Sequence, residues 1–170
     1  TIVMVDQRKL PGQEIYVRCR TAQEVARAIR TMIIRGAPAI GVSAAMGIAL
    51  GMQRSTAKGT KQFAVEFQKT CDMMAATRPT AVNLFWAIDR MKRVFAEAAQ
   101  AGQSPEEIAN RLERESRLIH DEDVASCKTM GAFGAEVVPD GGRVLTHCNA
   151  GALATAGYGS ALGVIRAAVE

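Results

Sequence analysis

A cysteine lies close to the C-terminal end of the sequence, between an apolar stretch and a run of small residues. The stretch RVLTH, residues 143–147, has the composition of a short buried strand, and Cys148 follows it directly. Glycine and alanine then dominate until an apolar segment at 157–169, which predicts a helix. In open parallel sheets, ligands bind at the carboxyl ends of the strands, and a thiol near free amides at a helix start has a stabilised thiolate. Cys148 is therefore either a reactive thiol facing a small ligand or a small buried side chain in a tight turn.

An arginine followed by glycine and alanine separates two helical patterns in the first third of the chain. In RGAPAIG, which begins at Arg35, Gly36 and Ala37 stand where the second helix starts. Their backbone N–H groups have no partner within the helix, and the helix dipole adds positive potential. The guanidinium of Arg35 adds a permanent charge whose forked geometry suits phosphate. The pattern predicts an anion site, with simple punctuation between two helices as the alternative.

A second arginine stands at the start of a further helix, in TRPTAVNLFWA. Arg78 precedes a proline, which favours an extended conformation for it. We assign Leu84, Phe85 and Trp86 to the hydrophobic core because they begin an apolar helical pattern. Arg78 itself is either a second ligand-binding cation or an ordinary surface residue.

The sequence lacks several other patterns that mark functional sites. The glycines after Cys148 follow neither the dinucleotide-binding nor the Walker spacing, so a nucleotide site fails on spacing. The four cysteines show no C-x-x-C spacing and there are only two histidines, so no zinc pattern emerges. His147 adjoins Cys148 on the predicted strand, and neighbours on a strand face opposite sides, which disfavours a Cys–His nucleophilic pair.

Composition and charge argue against nucleic-acid and membrane partners. The net charge of the 170 residues is +4, but positive and negative charges alternate, and aromatic residues make up only 5%. The uncharged run at 36–53 is rich in alanine and glycine and too weakly apolar for a span, so it predicts a helix buried in a soluble core. The start of the sequence has no signal-peptide pattern, and cysteines without a disulfide pattern suit a cytoplasmic protein.

The elements that must position these residues are a hairpin and a series of helices. Two short strands flank the turn signal KLPGQ, and capping boxes at Thr21 and Ser104 mark two helix starts. The predicted strands are residues 2–5 and 14–19, and the predicted helices are residues 21–35, 38–54, 61–76, 81–100, 105–119 and 121–136.

The order of predicted elements changes at the turn VPDGG, residues 138–142. A hairpin and helices precede this turn, and a strand, a loop of small residues and a helix follow it. A strand that is apolar on both faces belongs inside a parallel sheet, and one strand with one helix cannot form that sheet. We therefore expect an α/β protein overall, with a hairpin and helical domain at 1–140 and the incomplete start of a second domain at 141–170. The chain would then be the first part of a longer protein or one piece of a two-chain protein. The alternative is a tail helix that packs back on the bundle.

Taken together, these stretches resemble the methylthioribose-1-phosphate isomerase family. The resemblance rests on IRGAPAIGVSAAMGIAL, RPTAVNLFWAIDRM and LTHCNAGALATAGYGSALGVIRAA, and it extends from Asp6 over nearly all of the chain. Relatives with the same fold are ribose-1,5-bisphosphate isomerases and the regulatory subunits of the eukaryotic initiation guanine-nucleotide exchange factor. The resemblance implies an N-terminal small sheet with a helical bundle, followed by a Rossmann-like domain of which this chain holds only the first strand and helix. It also implies a cytoplasmic homodimer.

The resemblance further implies an aldose–ketose isomerase of methionine salvage, which converts 5-methylthioribose 1-phosphate to 5-methylthioribulose 1-phosphate without metal or nucleotide. The family's substrate-binding residues correspond to Arg35, Gly36, Ala37 and Arg78, and its catalytic cysteine corresponds to Cys148. The family's catalytic aspartate belongs to the second half, beyond the matching part. The chain alone is therefore expected to be inactive unless a complementary C-terminal part completes the site.

Two alternatives within the same fold remain open. One is a ribose-1,5-bisphosphate isomerase, whose second phosphate would require more cationic ligands. The other is a non-catalytic regulatory subunit of the exchange-factor type, which keeps the fold and binds a partner. The cysteine within HCNAG, together with NLFWA, favours the isomerase.

Overall fold

The computed structural model describes all 170 residues, as one two-stranded sheet and six α-helices. The elements are β1 (Ile2–Val5), β2 (Tyr16–Cys19), α1 (Ala22–Arg30), α2 (Ala37–Gln53), α3 (Thr60–Ala75), α4 (Val82–Gln100), α5 (Pro105–Ala135) and α6 (Ala161–Ala167). A 3₁₀ turn at Ala152–Ala154 lies between the last two helices.

The N-terminal hairpin is antiparallel, as the sequence predicts. Ile2 pairs with Cys19 and Val5 pairs with Tyr16, so the second strand is two residues shorter than predicted. The turn after β1 is held by Asp6, whose carboxylate accepts hydrogen bonds from the backbone N–H of Arg8 at 3.1 Å and from its guanidinium at 2.9 and 2.7 Å. The hairpin therefore ends in a rigid turn beside the helices.

Helix α2 forms the centre of the bundle and contacts the four helices α1, α3, α4 and α5. Its small residues explain this position, since a Cβ atom at Gly47 would lie 2.6 Å from the side chain of Met74 and 2.8 Å from that of Val25. The predicted buried helix is therefore confirmed. No helix in the structure combines the length and the apolar character that a membrane span requires.

The hydrophobic core surrounds α2, and of the two predicted capping boxes only the one at Ser104 is complete. The largest fully buried side chains include Ile29, Ile48, Met74, Leu84, Met91, Ile108 and Leu112. The hydroxyl of Thr21 accepts a hydrogen bond from the N–H of Glu24 at 3.2 Å, but the carboxylate of Glu24 accepts from the N–H of Arg20 rather than from that of Thr21. At the start of α5, the hydroxyl of Ser104 accepts from the N–H of Glu107 at 3.3 Å, and the carboxylate of Glu107 accepts from the N–H of Ser104 at 2.7 Å.

Several predictions about the helices are wrong. The first helix ends at Arg30 rather than near Arg35. Residues 105–119 and 121–136 belong to one helix of 31 residues, because no glycine or proline interrupts the chain near residue 120 and Ile119 and Cys127 continue the same buried face. Of the aromatic residues assigned to the core, Phe85 and Trp86 are 38% and 48% exposed. Leu84 is buried as predicted, because the periodicity of α4 directs this side chain into the bundle and leaves both aromatic rings partly exposed.

The predicted strand at 143–147 is not formed in this structure. No backbone hydrogen bond joins this segment to another part of the chain, and Leu145 is 97% exposed. A strand forms only beside another strand that pairs with its N–H and C=O groups, and the only sheet here is the hairpin.

The last helix is shorter than predicted and lies against the second half of α5. It begins at Ala161 rather than at residue 157, because the N–H groups of Ser160 and Leu162 both donate to the carbonyl of Ala150 and hold the preceding residues in a loop. A Cβ atom at Gly134 would lie 2.5 Å from the side chain of Val164, so the two helices are in close contact. The last helix thus packs back on the bundle, while the domain boundary near residue 140 stays a prediction.

Candidate functional site

The start of α2 presents free backbone donors beside an arginine. Gly36 is the N-cap residue with a φ of 105°, and its carbonyl accepts the first helical hydrogen bond from Ile40 at 2.9 Å. The N–H groups of Gly36 and Ala37 donate no hydrogen bond within the protein. Arg35 and Ala37 are exposed, and the side chain of Arg35 makes no ion pair. This end of the helix has the features of an anion site.

The segment of residues 150–160, which we call the small-residue loop, packs directly on this helix start. A Cβ atom at Gly36 would lie 2.3 Å from the Cα atom of Ala154. Because Gly36 has no side chain, the two backbones can approach this closely. The structure therefore joins the Arg-Gly-Ala motif to the loop that follows Cys148.

Hydrogen bonds within the small-residue loop define its shape. The hydroxyl of Thr155 accepts from the N–H of Gly157 at 3.3 Å and from that of Gly159 at 3.0 Å. The carboxylate of Asp123, on α5, accepts from the N–H of Ala156 at 2.7 Å. The loop is thus attached to the bundle by a side chain from α5, and no local sequence pattern marks Asp123 or Thr155 for this role.

Cys148 lies just before the small-residue loop and differs from the other three cysteines in exposure. Its φ is 66°, which is unusual for a residue other than glycine, and its side chain makes no hydrogen bond within the protein. Cys19, Cys71 and Cys127 are buried, whereas Cys148 is exposed. The structure thus gives this thiol access to a small molecule.

Arg78 lies in the turn between α3 and α4 and is half-buried. One of its guanidinium nitrogens, Nη1, is buried and has no hydrogen-bond partner. A buried charged donor without an acceptor is costly, so this position favours an anionic ligand.

The starts of α2 and α4 lie side by side. A Cβ atom at Gly41 would come within 2.8 Å of the carbonyl oxygen of Asn83. Pro38, Asn83 and Asp123 line one cavity of about 410 Å³, so the two helix starts border the carboxylate that holds the small-residue loop. Arg35 and Arg78 precede these adjacent helix starts, while the side chains of Arg35, Arg78 and Cys148 make no hydrogen bond with one another.

The difference in burial among the cysteines gives a direct prediction for thiol chemistry. Burial raises the pKa of Cys71 to about 12 and also raises the pKa values of the Cys19 and Cys127 thiols. A raised pKa leaves less of the reactive thiolate at pH 8, and burial also blocks access. We expect 5,5′-dithiobis(2-nitrobenzoate) to titrate one of the four thiols of the folded protein, and all four after denaturation. A Cys148→Ser variant should have no reactive thiol in the folded state. Rapid reaction of a second thiol in the native protein would contradict the assignment of Cys148 as the single accessible thiol.

The chain matches one protein family over most of its length. Residues 33–170 match the Initiation factor 2 subunit family. The curated methylthioribose-1-phosphate isomerases of Geobacter metallireducens and Koribacter versatilis are each 56% identical over 169 residues, which is 99% of this chain and 48% and 47% of those proteins. The chain therefore spans about half the length of the curated relatives it matches.

Two solved structures are similar in both fold and sequence. The crystal structure of 5-methylthioribose 1-phosphate isomerase from Pyrococcus horikoshii OT3 superposes with a TM-score of 0.91 at 43% identity, covering 96% of this chain and 45% of that one. The crystal structure of translation initiation factor eIF-2B, subunit delta, from A. fulgidus superposes with a TM-score of 0.88 at 41% identity. The match covers 98% of this chain and 48% of that one. The resemblance to methylthioribose-1-phosphate isomerases is thus confirmed. Since the family match covers far more than half of its residues, the chain belongs to the Initiation factor 2 subunit family.

Proposed function

We propose that this chain is the N-terminal part of an aldose–ketose isomerase, an intramolecular oxidoreductase that converts 5-methylthioribose 1-phosphate to 5-methylthioribulose 1-phosphate in methionine salvage. The observation that carries the proposal is the contact between Gly36 and Ala154, because it joins a candidate anion site to the loop that follows an exposed cysteine. The names of the curated relatives support the choice of substrate.

The phosphate of the substrate would lie at the start of α2. The free N–H groups of Gly36 and Ala37, the positive end of the helix dipole and the guanidinium of Arg35 offer donors and positive charge. Arg78 would supply a second cation, because a phosphate or sugar oxygen gives the buried Nη1 the acceptor that it lacks in the protein.

The reaction moves one hydrogen from C2 to C1 of the sugar. The phosphate on the anomeric carbon prevents free opening of the ring, so an acid must protonate the ring oxygen as the ring opens. Hydrogen then moves either through a cis-enediol, by removal of the C2 proton and its return to C1, or as a hydride shift. Cys148 would act as the base or as a stabiliser of the transition state. An aspartate from the second half of the protein would be the proton donor.

The remainder of the site would come from a Rossmann-like catalytic domain that begins at about residue 141. Apolar side chains are exposed around this segment, with Leu145 97%, Val169 83%, Val137 80% and Phe133 68% accessible. Further parallel strands would pair with residues 143–147 and cover this surface. The complementary part would be supplied by the same polypeptide or by a separate chain, and the complete protein would be a cytoplasmic homodimer.

A regulatory subunit without catalysis is the second candidate, because the subunit delta structure is nearly as similar as the isomerase structure. Such a subunit has no need of an accessible thiol that precedes a loop packed on an anion site. A ribose-1,5-bisphosphate isomerase would need cationic ligands for a second phosphate in addition to Arg35 and Arg78. The exposure of Cys148 therefore supports an isomerase over the regulatory subunit, and the names of the curated relatives support 5-methylthioribose 1-phosphate as its substrate.

The proposal is tested with the complete protein, in which this chain is joined to or mixed with its C-terminal part. We expect turnover of 5-methylthioribose 1-phosphate and at least 100-fold lower kcat/KM for ribose 1,5-bisphosphate, since this part of the site offers Arg35 and Arg78 for one phosphate. Arg78→Met should raise KM about tenfold or more, the usual scale for a lost charged hydrogen bond, whereas Arg93→Met on the exposed side of α4 should not.

The alternatives give different results in the same experiment. Preferred turnover of the bisphosphate would assign the protein to the other isomerase. Absence of turnover of both sugars by the complete protein would leave the regulatory subunit as the function.

A further inference from the structure

Gln7 connects two segments that lie far apart in the sequence. Its side-chain Nε2 donates a hydrogen bond to the carbonyl of Leu153 at 2.7 Å and to the carbonyl of Arg35 at 3.3 Å. Its backbone N–H donates to the carbonyl of Ile33 at 3.0 Å, and the residue is only 6% exposed. We call these two side-chain hydrogen bonds the Gln7 bridge. The bridge ties Arg35, which directly precedes the N-cap residue of α2, to the small-residue loop.

The chemistry of the primary amide suits this position. One nitrogen carries two hydrogens and no charge, so it can serve two carbonyl acceptors at a buried site. A lysine would bring an ammonium charge into the same buried space, and an apolar side chain would leave both carbonyls without a donor. The two acceptors therefore require an uncharged side chain with two donors at this point.

The bridge is mounted on a rigid part of the hairpin. The neighbouring residue Asp6 is 4% exposed, and its carboxylate accepts three hydrogen bonds from Arg8. The N–H of Asp6 donates to the carbonyl of Ile15 at 2.7 Å. The turn after β1 thus gives Gln7 a fixed backbone, from which its side chain determines the separation of the two segments it joins.

We propose that Gln7 is a positioning residue of the isomerase site, which sets the distance between the anion site at the start of α2 and the small-residue loop that follows Cys148. The inference rests on the proposed function. Because Gly36 has no side chain, the small-residue loop can approach the helix closely. Gly36 has no side-chain group that could hold the loop in that position, so other residues must do so. The Gln7 bridge supplies an attachment on the hairpin side, while Asp123 supplies one from α5. Small displacements of reacting groups lower turnover strongly, so loss of the bridge should act on catalysis more than on binding.

The test compares Gln7→Met with Gln53→Met in the complete protein. Methionine keeps the length of the side chain but has no donors. Gln53 also donates two side-chain hydrogen bonds, to Asn110 at 2.8 Å and to Glu113 at 3.1 Å, but it lies at the other end of α2. We expect Gln7→Met to lower kcat about tenfold or more, with KM changed less than threefold, and Gln53→Met to leave both within twofold. If Gln7→Met does not fold, Gln7→Asn, which is too short to reach both carbonyls, takes its place with the same expectation.

A stability control separates positioning from folding. Ile108 is fully buried in the core, and Ile108→Val should lower the melting temperature without changing kcat. The inference is wrong if the kcat of Gln7→Met stays within twofold of the wild-type value. It is also wrong if Ile108→Val, with a melting temperature similar to that of Gln7→Met, loses as much kcat as Gln7→Met does.

A second measurement does not depend on isomerase activity. Hydrogen–deuterium exchange in peptides that cover residues 33–40 and 150–160 should be at least threefold faster in Gln7→Met than in Gln53→Met, since the bridge holds both segments. If exchange in both peptides were unchanged, the claim that the Gln7 bridge holds the two segments would be wrong. This conclusion would hold even if the wild-type protein had no isomerase activity. If exchange were faster in Gln7→Met but the complete protein turned over neither sugar, the structural role of the Gln7 bridge would be supported. Only the proposed function would then be rejected.

Discussion

Replacing Cys148 by alanine in the complete protein should lower the kcat of the proposed isomerase reaction by about 100-fold or more, which is the usual scale for a group that transfers a proton or stabilises charge in the transition state. The side chain is exposed and forms no hydrogen bond within the protein, so its removal should leave the free energy of unfolding nearly unchanged. Steady-state kinetics with 5-methylthioribose 1-phosphate, together with thermal unfolding of the same preparations, measures both quantities.

The matched control is Cys71→Ala. Cys71 is fully buried among the helices, so this variant should lose stability through a cavity and keep its kcat. A loss of less than threefold in Cys148→Ala would remove the thiol from the chemistry. In that event the phosphate-binding part of the proposal would stand on Arg35, Arg78 and the start of α2 alone.

Replacing Gly36 by alanine should both destabilise the protein and abolish most of its activity. A φ of 105° is one that L side chains rarely adopt, and the added Cβ would lie 2.3 Å from the Cα atom of Ala154. Backbone strain of this kind costs about 1–3 kcal/mol, and the clash with backbone atoms adds to it. We expect the free energy of unfolding to fall by about 3 kcal/mol or more and kcat/KM by about 100-fold, because the small-residue loop must move away from the helix start.

Gly59 provides the control, since it is also the N-cap residue of a helix. Its φ is −168° and no atom lies within 4 Å of an added Cβ, so Gly59→Ala should change the free energy of unfolding by less than about 1 kcal/mol. Urea denaturation and steady-state kinetics measure the two effects. If Gly36→Ala unfolded at the same urea concentration as Gly59→Ala, the close approach of the loop to α2 would be wrong.

Several elements of the fold were predictable because local patterns produce them. The hydroxyls of Thr21 and Ser104 cap their helices as expected, and the small residues of α2 predicted its burial. The same local patterns failed at His120, where they suggested a helix break, and at Trp86, where an apolar side chain did not imply burial. Burial depends on which face of a helix meets its neighbours, and periodicity shows this only when the whole helix is counted.

The sequence by itself identified the residues on which the proposed site depends. Arg35 before a glycine at a helix start, and Cys148 before a run of small residues, are local arrangements that make both residues candidates, and the family resemblance gives them their expected roles. The matching family and the names of the curated relatives confirm the family resemblance, while the roles of Arg35 and Cys148 stay predictions. Helix starts, caps and free amides depend on a few consecutive residues, which is why sequence reasoning reaches them.

Only the tertiary structure decided how these residues are held together. The hydrogen bond from Gln7 to Leu153 joins residues 146 positions apart, and the bond from Ala156 to Asp123 joins residues 33 apart. Neither partner lies in a local pattern, since a glutamine or an aspartate at these positions is compatible with an exposed side chain. The unpartnered Nη1 of Arg78 is likewise visible only when the surrounding helices are in place. Long-range hydrogen bonds and burial are properties of the assembled chain, because they depend on distances that no short stretch of sequence determines.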